Sequence, residues 1–381
     1  MEKEKIAKVL VVFGTRPEAI KMAPVVKGLK RAEGFDTRVC LTGQHREMLD
    51  QVMKIFGLTA DFDLEVMSSN QTLTGLTCKV LQGMQDVFAQ WKPDCVLVQG
   101  DTTTVFAAAL AAFYEKIDVG HVEAGLRTGC RYSPFPEEMN RCLASRLSML
   151  HFAPTELAKQ NLLKENVAVH DVFVTGNTVV DALFDALSYI DGHDQLPRQF
   201  AEKFDFLHPQ KRLILVTGHR RENFGEGFLD ICHAIRELAR RESVQIVYPV
   251  HLNPNVRKPV NEILKGEKDV HLIEPLDYLA FIYLMRRSYL ILTDSGGVQE
   301  EAPSLGKPVL VMRDTTERPE AVEAGTVVLV GPHRDKIAAY AKKLLDDDAY
   351  YESMARAHNP YGDGRAAGRI VEVLKQRYLY H

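Results

Sequence analysis

The sequence predicts an α/β protein made of two Rossmann-like, doubly wound domains. The chain has 381 residues, more than one hydrophobic core usually organises, so we expect two domains. Short apolar runs alternate with helix-length amphipathic segments, which is typical of βαβ units and a parallel sheet. The alternation occurs in two series, and a polar stretch at 192–209 separates them.

Each series predicts six strands. The first places them at 9–13, 37–42, 96–98, 119–122, 150–153 and 172–174, and we assign residues 1–176 to an N-terminal domain. The second places them at 213–216, 246–250, 270–273, 290–292, 309–312 and 327–330, and we assign residues 177–364 to a C-terminal domain. Turn formers at 359–364 precede a last helix within 365–381, which we expect to pack back on the first domain.

Composition excludes several classes of function. The formal net charge of −4 gives no electrostatic footprint for nucleic acid or for an anionic membrane. The six cysteines show neither a CxxC pair nor zinc-ligand spacing, which predicts reduced thiols and no metal. The longest apolar stretch, 105–114, is about half of a membrane span. We therefore expect a cytoplasmic protein with no nucleic-acid or membrane partner.

Three carboxylates are expected at one edge of the N-terminal sheet. Asp101 and Glu123 each follow an apolar strand, and ligands of open α/β sheets collect outside the carboxyl ends of strands. Pro136 suits the first turn of a helix, which places Glu137 at the positive end of that helix. Helix capping is the alternative for each acid alone. Three acids on one edge indicate acid–base chemistry.

The C-terminal domain carries a glycine-rich turn that indicates nucleotide binding. Ser295, Gly296 and Gly297 stand between a strand and a helix, where backbone N–H groups are suited to hold an anion. Glu301 follows one turn later, at a spacing suited to accept hydrogen bonds from ribose hydroxyls. The alternative is that this turn binds no ligand, but an acid at this spacing favours nucleotide binding.

The first strand leads into a turn with a single glycine, Gly14, where a dinucleotide fold needs a run resembling GxGxxG. A nicotinamide cofactor is therefore not expected. Arg16 in this turn has a planar fork of donors suited to phosphate. The run TRPEA around Arg16 has an echo, ERPEA, around Arg318, and each copy follows a strand. The echo suggests that each domain presents one arginine to a shared cleft.

A histidine and two arginines follow the first strand of the C-terminal domain. In the run GHRREN, His219 and Arg220 lie at the carboxyl edge of the sheet, where they are suited to neutralise a departing diphosphate. His251 follows the next strand, and its role stays open at this point.

Long motifs make the chain recognisable. They include FGTRPEAIKMAP, TGQHREMLDQV, GHVEAGLRTG, YSPFPEEMNR, PVHLNPNV and TDSGGVQEEAPSLGKPVLVMRDTTERPEAV. Together they resemble the non-hydrolysing UDP-N-acetylglucosamine 2-epimerases of bacteria, from about Lys8 to Gly364. The resemblance implies a glycosyltransferase-B architecture, in which two Rossmann-like domains face a central cleft. It also implies a homodimer and a reaction without nicotinamide or metal.

The resemblance implies a reaction as well. UDP leaves C1 of the sugar while a base removes the C2 proton, and the 2-acetamidoglucal intermediate then takes UDP back with protonation on the other face. The matching positions are Asp101, Glu123, Glu137 and His219 for chemistry, and Arg16, Ser295, Gly296, Gly297, Glu301 and Arg318 for the substrate. Glu137 is expected to act directly or by positioning Arg141. Which carboxylate acts on which face stays open.

Some members of this family bind a second UDP-N-acetylglucosamine as an activator beside the active site. Gln44, Arg220 and His251 match that second site, whereas Glu47 and Asn70 replace the expected glutamine and arginine. Losing an arginine opposite a diphosphate removes a charge-assisted pair, so we expect weakened activation. A UDP-sugar-dependent glycosyltransferase, a hydrolysing epimerase and a non-catalytic nucleotide-sugar sensor are the alternative functions, and the three acids favour the epimerase over the sensor.

Overall fold

Two parallel sheets organise the chain, and each belongs to its own compact unit. The computed structural model describes residues 6–43, 46–68 and 71–380, without the side chains of 46–48. Unit 1 comprises Met1–Asp185 and Tyr361–His381, and unit 2 comprises Ala186–Pro360. The alternation of strands and helices therefore produces the α/β class that the sequence predicts.

Unit 1 contains a seven-stranded sheet in the order β3-β2-β1-β4-β5-β6-β7, with every pairing parallel. Its strands are β1 Ala7–Phe13, β2 Phe35–Leu41, β3 Phe62–Asp63, β4 Cys95–Gln99, β5 Asp118–Val122, β6 Leu150–Ala153 and β7 Val172–Val174. Its helices are α1 Arg16–Arg31, α2 Arg46–Phe56, α3 Leu73–Gln90, α4 Thr103–Tyr114, α5 Glu137–Leu147, α6 Glu156–Lys164, the start of α7 Thr178–Asp191, and α16 Ala366–Tyr378.

Unit 2 contains a six-stranded parallel sheet in the order β10-β9-β8-β11-β12-β13. Its strands are β8 Arg212–Thr217, β9 Val244–Pro249, β10 Val270–Ile273, β11 Leu290–Thr293, β12 Val309–Val311 and β13 Val327–Leu329. Its helices are α8 Gln195–Lys203, α9 Glu226–Ala239, α10 Pro254–Leu264, α11 Tyr278–Arg287, α12 Gly296–Glu301, α13 Pro319–Glu323, α14 Arg334–Asp346 and α15 Asp348–Ala355.

The strand orders explain where sites form. In unit 1 the direction of winding reverses between β1 and β4, and in unit 2 it reverses between β8 and β11. Ligands of open α/β sheets bind at such switch points, outside the carboxyl ends of the strands. Arg16 and Asp101 follow β1 and β4 closely, and His219 and Ser295 follow β8 and β11. Each sheet thus presents candidate residues at its switch point.

All twelve strands predicted from the sequence are confirmed, and within the described residues the structure adds one that was missed, β3. This strand has two residues and pairs with Cys40 and Leu41 of β2. A two-residue strand has no periodicity to detect, so the apolar pattern gives no signal for it.

Tertiary contacts shift the division between the units relative to the expected one. We placed the boundary after residue 176, and the structure divides after Asp185, inside α7. The first turns of α7 hold unit 1 together, because Asp181 accepts hydrogen bonds from the backbone N–H groups of Ala366 and Ala367 at the start of α16. Lys27 of α1 also donates to Asp185 at 3.0 Å.

Two further features bear on function. All six cysteines are free thiols, at positions 40, 78, 95, 130, 142 and 232. Within the part of the chain that the structure describes, no helix is both long enough and apolar enough to cross a membrane.

Candidate active site

Asp101 stands at the switch point of unit 1, just after β4. Gly100 precedes it with a φ of 81°, a left-handed conformation that glycine adopts freely, and this turns the chain at the strand end. The Asp101 carboxylate is partly exposed and accepts a hydrogen bond of 2.5 Å from Nη2 of Arg141 in α5. The buried ring of His121 donates from Nε2 to the Gly100 carbonyl at 2.7 Å. Burial lowers the pKa of His121 to about 4, so the imidazole ring that holds the Gly100 carbonyl is uncharged.

Glu123 follows the neighbouring strand β5 and is buried in a polar network. Its φ of 64° is left-handed, which is uncommon for a residue other than glycine and is typical of functional sites. The carboxylate accepts hydrogen bonds from Lys21 Nζ at 2.6 Å, from Asn177 Nδ2 at 3.0 Å and from Gln99 Nε2. Because Gln99 of β4 pairs with Val122 of β5, the edges that carry Asp101 and Glu123 are adjacent.

Glu137 opens α5 after Pro136, as the sequence predicts. Its side chain is half-buried, and it makes no hydrogen bond or ion pair to another residue of the described segments. The expected alternative role, positioning Arg141, falls instead to its buried neighbour Glu138, whose Oε2 lies 3.3 Å from Arg141 Nη1. Glu138 also accepts from the backbone N–H groups of Thr128 and Gly129, so it fixes the preceding loop.

Arg16 and Glu18 lie in the first turn of α1, which begins shortly after β1. Thr15 caps α1, and Glu18 reciprocates by accepting from the backbone N–H groups of Gly14 and Thr15 at 2.9 and 2.7 Å. The second oxygen of Glu18 accepts from Thr102, beside Asp101, at 2.5 Å. Burial of Glu18 raises its pKa despite these bonds. Glu18 therefore ties the turn of Arg16 to the turn of Asp101, while the half-buried Arg16 guanidinium has no protein partner among the described residues.

In unit 2, His219 and Asp294 face each other across the switch point. Asp294 directly follows β11 and is fully buried, and its Oδ2 accepts from the backbone N–H groups of His219 and Arg220 at 2.8 Å each. Nδ1 of His219 lies 3.6 Å from Oδ1 of Asp294. Burial lowers the pKa of His219, Asp294 works to raise it, and His251 and Arg220 lower it further.

Two candidates for a second nucleotide site, His251 and Arg220, lie directly beside His219. The exposed ring of His251 stacks on the ring of His219, with centroids 5.1 Å apart. Arg220 is half-buried, and its Nε has no hydrogen-bond partner in the described part of the chain. Gln44, Asn70 and the side chain of Glu47 lie outside the described residues.

The glycine-rich turn forms the start of α12. Ser295 is the N-cap of this six-residue helix, and its side chain makes no capping hydrogen bond. Gly296 is required by packing, because a Cβ there would lie 2.5 Å from Nη1 of Arg318. A Cβ at Gly297 meets only Oε2 of Glu301, at 4.0 Å. The first N–H groups of a helix lack partners within the helix and attract anions.

Glu301 and Arg318 are both buried next to this turn. Oε1 of Glu301 accepts from the hydroxyl of Tyr278 at 2.9 Å, which fixes the carboxylate in place. Arg318 donates from Nε to Glu300 at 2.7 Å and from Nη1 to Glu317. Arg313 also pairs with Glu317, at 2.9 Å. Burial works to raise the pKa of Glu317, but the two arginines outweigh it and hold the pKa at about 2.

Several supporting residues were missed by the sequence analysis. The most informative are Lys21, Glu18 and Asp294, and each had a signal that periodicity alone does not weigh. Lys21 interrupts the apolar run AIKMAPVV, Glu18 stands three residues after Thr15 as in a capping box, and Asp294 directly follows a buried strand. Among the described residues, no group of three or more His, Cys, Asp or Glu side chains is arranged to hold a metal ion.

Comparison with known proteins places the chain among nucleotide-sugar enzymes. The family model for UDP-N-acetylglucosamine 2-epimerase matches residues 27–375. The UDP-N-acetylglucosamine 2-epimerase of Escherichia coli K12 is 59% identical over 373 residues, which cover 98% of this chain and 99% of that protein.

Solved structures agree in fold. The Neisseria meningitidis UDP-GlcNAc 2-epimerase bound to UDP-GlcNAc superposes with a TM-score of 0.92 at 55% identity, covering 97% of this chain and 100% of that one. The Methanocaldococcus jannaschii enzyme in complex with UDP-GlcNAc and UDP gives a TM-score of 0.81 at 37% identity, with coverages of 97% and 99%. The fold is therefore glycosyltransferase-B-like, as expected.

Proposed function

The chain belongs to the UDP-N-acetylglucosamine 2-epimerase family and is an isomerase, and we propose that it works by eliminating UDP and adding it back. The product of the forward reaction is UDP-N-acetylmannosamine. The observation that supports this mechanism best is the pair of carboxylates on adjacent strand ends of unit 1, Asp101 and Glu123, held in different surroundings. Two acids in unlike environments suit a reaction that removes a proton on one face and returns it on the other.

Asp101 and Glu123 are the proposed proton-transfer groups. In the elimination one carboxylate takes the C2 proton as the bond from C1 to the UDP oxygen breaks, and a C1–C2 double bond forms. In the return step a carboxylate gives a proton to C2 on the opposite face, and the UDP oxygen bonds to C1 again. Lys21 supports this cycle, because its ammonium group, 2.6 Å from Glu123, stabilises the charge that Glu123 gains and loses.

Glu137 is proposed to act directly in this chemistry. Its half-buried side chain has no partner among the residues that the structure describes, and Arg141 is already paired with Asp101 and Glu138. A carboxylate at the start of α5 also lies in the favourable field of the helix.

Unit 2 is proposed to hold the nucleotide. The backbone N–H groups of Ser295, Gly296 and Gly297 bind the diphosphate, and Glu301 accepts from the ribose hydroxyls while Tyr278 fixes its orientation. His219 stabilises the negative charge that grows on the diphosphate as it departs. Arg16 binds phosphate, and Arg318 supports the turn at Gly296 that it packs against.

The proposal is tested with pure protein and UDP-N-acetylglucosamine in deuterated water, followed by NMR. We expect UDP-N-acetylmannosamine, with deuterium at C2 of both sugars, because the abstracted proton exchanges before it returns. Products without label contradict elimination, and free N-acetylmannosamine plus UDP indicates a hydrolysing enzyme. EDTA and removal of nicotinamides are expected to leave the rate unchanged, since we propose that the reaction uses neither.

A second nucleotide-sugar site is proposed at Arg220 and His251, beside His219. The family resemblance adds Gln44, Glu47 and Asn70, and neither Glu47 nor Asn70 can supply a cation. His251 stacks on His219, which supports a coupling between this site and the departing diphosphate. We expect UDP-N-acetylmannosamine to be converted without UDP-N-acetylglucosamine, or only with more of this activator than members carrying arginine need. A progress curve from pure UDP-N-acetylmannosamine tests this. If UDP-N-acetylmannosamine is not converted at all until a trace of UDP-N-acetylglucosamine is added, the expected weakening of activation is contradicted.

A cytoplasmic homodimer is proposed on the strength of the family resemblance. Light scattering behind size exclusion is expected to report twice the mass of the 42.9 kDa chain. A monomer that retains full activity contradicts the dimer.

A further inference from the structure

Asp294 is a buried acid whose two carboxylate oxygens differ in their hydrogen bonding. Its Oδ2 holds the backbone N–H groups of His219 and Arg220 at 2.8 Å each, and Nδ2 of Asn223 lies 3.4 Å from the same oxygen. Its Oδ1 is buried and has no hydrogen-bond partner in the described chain. A buried carboxylate oxygen without a donor is costly, which points to a donor that arrives during the reaction.

The nearest candidate donor is the ring of His219. Nδ1 of His219 lies 3.6 Å from Oδ1 of Asp294, slightly beyond hydrogen-bond distance. Catalytic hydrogen bonds are often long without ligand and shorten when the substrate is bound. The backbone of His219 is fixed by the other oxygen of the same carboxylate, so a small rotation of the ring is enough to close the gap.

We propose that Asp294 is a positioning residue that forms a dyad with His219, orienting the ring through Nδ1 and directing Nε2 toward the departing diphosphate. The role of His219 in UDP departure belongs to the proposed function, and this inference rests on it. A carboxylate on Nδ1 fixes the tautomer and stabilises the imidazolium, so Nε2 presents a proton and a positive charge to the leaving group.

The groups around His219 set the sign of the pH dependence. Asp294 at the end of β11 favours the charged ring, whereas burial, His251 after β9 and the adjacent Arg220 disfavour it, and the net effect lowers the pKa of His219. Removing the Asp294 charge must lower that pKa further. If the imidazolium is the active form, activity is present below the pKa and lost above it, so the alkaline limb of kcat moves to lower pH.

The test is Asp294→Asn, which keeps one oxygen for the two backbone N–H groups but removes the charge. We expect kcat to fall on the order of a hundredfold with KM for UDP-N-acetylglucosamine changed less than about threefold, together with the shifted alkaline limb. Asp181→Asn is the matched control, because Asp181 is also buried and also accepts from two backbone N–H groups, without a histidine nearby. It is expected to leave kcat and its pH profile unchanged.

A double-mutant cycle separates this inference from the role of His219. If the two residues act as one unit, Asp294→Asn in a His219→Asn background costs little more than His219→Asn alone. If the losses of kcat in the two single variants multiply in the double variant, the dyad is overturned. A normal kcat and pH profile in Asp294→Asn overturns it as well. Near-normal turnover of His219→Asn instead overturns the proposed role of His219 itself.

A crystal structure of the wild-type protein with UDP gives a test that does not depend on how variants fold. The Nδ1–Oδ1 distance is expected to shorten to a hydrogen bond of about 2.8 Å. A distance that stays at 3.6 Å or grows overturns the inference.

Discussion

The turns TRPEA in unit 1 and ERPEA in unit 2 share four letters and a position after a strand, yet their arginines have opposite surroundings. Arg16 is half-buried and has no protein partner in the segments that the structure describes. Arg318 is buried and pairs with Glu300 and Glu317. The same local motif thus leaves one positive charge available for an anion and neutralises the other.

The first residue of each motif contributes to this difference. Thr15 caps α1 and draws Glu18 back onto the turn, so no carboxylate of the motif reaches Arg16. Glu317 stands at the equivalent position in unit 2 and pairs with Arg318 directly. The residue before the arginine therefore helps to decide whether the guanidinium is paired, and Glu300 of α12 adds a second partner for Arg318.

The largest expected effect comes from replacing each of the two arginines by glutamine. Arg318→Gln removes the cation that pairs with Glu300 and leaves Glu317 paired with Arg313 alone, and removing one partner of a buried ion pair costs roughly 3 to 5 kcal/mol of unfolding free energy. Arg16→Gln is the matched change and is expected to leave stability unchanged while it lowers kcat/KM. Urea unfolding and initial rates measure both. Equal stability losses in the two variants contradict the distinction.

Acid unfolding tests the ion pairs of Glu317 in unit 2. The pKa of Glu317 is about 2 in the folded protein, below its ordinary value of 4.5, so its ion pairs stabilise the fold above about pH 4.5. This contribution, on the order of 3 kcal/mol, is lost as the pH falls from 4.5 to 2. Glu317→Gln is expected to flatten the dependence of the melting temperature on pH in that window. An unchanged slope contradicts the pairing.

A further set of variants compares the acids of the two units. Glu123→Gln is expected to lower kcat about a hundredfold, the scale of lost general acid–base catalysis, with little change in KM. Asp101→Asn and Glu137→Gln are expected to behave alike. Glu301→Gln replaces a buried acid of unit 2 and is expected to raise KM and weaken UDP binding with kcat largely kept. Initial rates and UDP titrations measure this, and near-normal turnover of Glu123→Gln returns that residue to a structural role.

The smallest expected effect concerns Glu18, which ties two turns of unit 1 together. Glu18→Ala removes the partner of the Gly14, Thr15 and Thr102 donors and is expected to cost about 1 kcal/mol, as for other capping residues, with a loss of activity. Glu18→Gln keeps the shape and is expected to restore most of both. Thermal melts and initial rates check this. Full activity in Glu18→Ala contradicts the positioning role.

Most of the fold was predictable because it depends on local patterns. Apolar runs of three to six residues located every strand except β3, and the caps and prolines located helix starts such as Arg16 and Pro319. The position where the units divide was less predictable, because it depends on contacts such as those of Asp181 with the start of α16, 185 residues later in the chain.

The site was predictable as a set of residues but not as a set of pairings. Asp101, Glu123 and His219 were visible because each follows an apolar strand. Their partners Arg141, Lys21 and Asp294 were not assigned those roles, because pairing depends on which helix face and which strand edge meet in space. The state of Arg318 was likewise hidden, since Glu300 comes from a different turn.

The discontinuity of unit 1 has a consequence for biosynthesis. Helix α16 packs on α1, and Tyr378 donates to Asp118 at 2.8 Å, so unit 1 needs residues that are translated after those of unit 2. Residues 186–360 are translated before α16 and form a unit of their own. We therefore expect unit 1 to complete its folding only after unit 2 has been translated, with the face of α1 that α16 covers exposed until then.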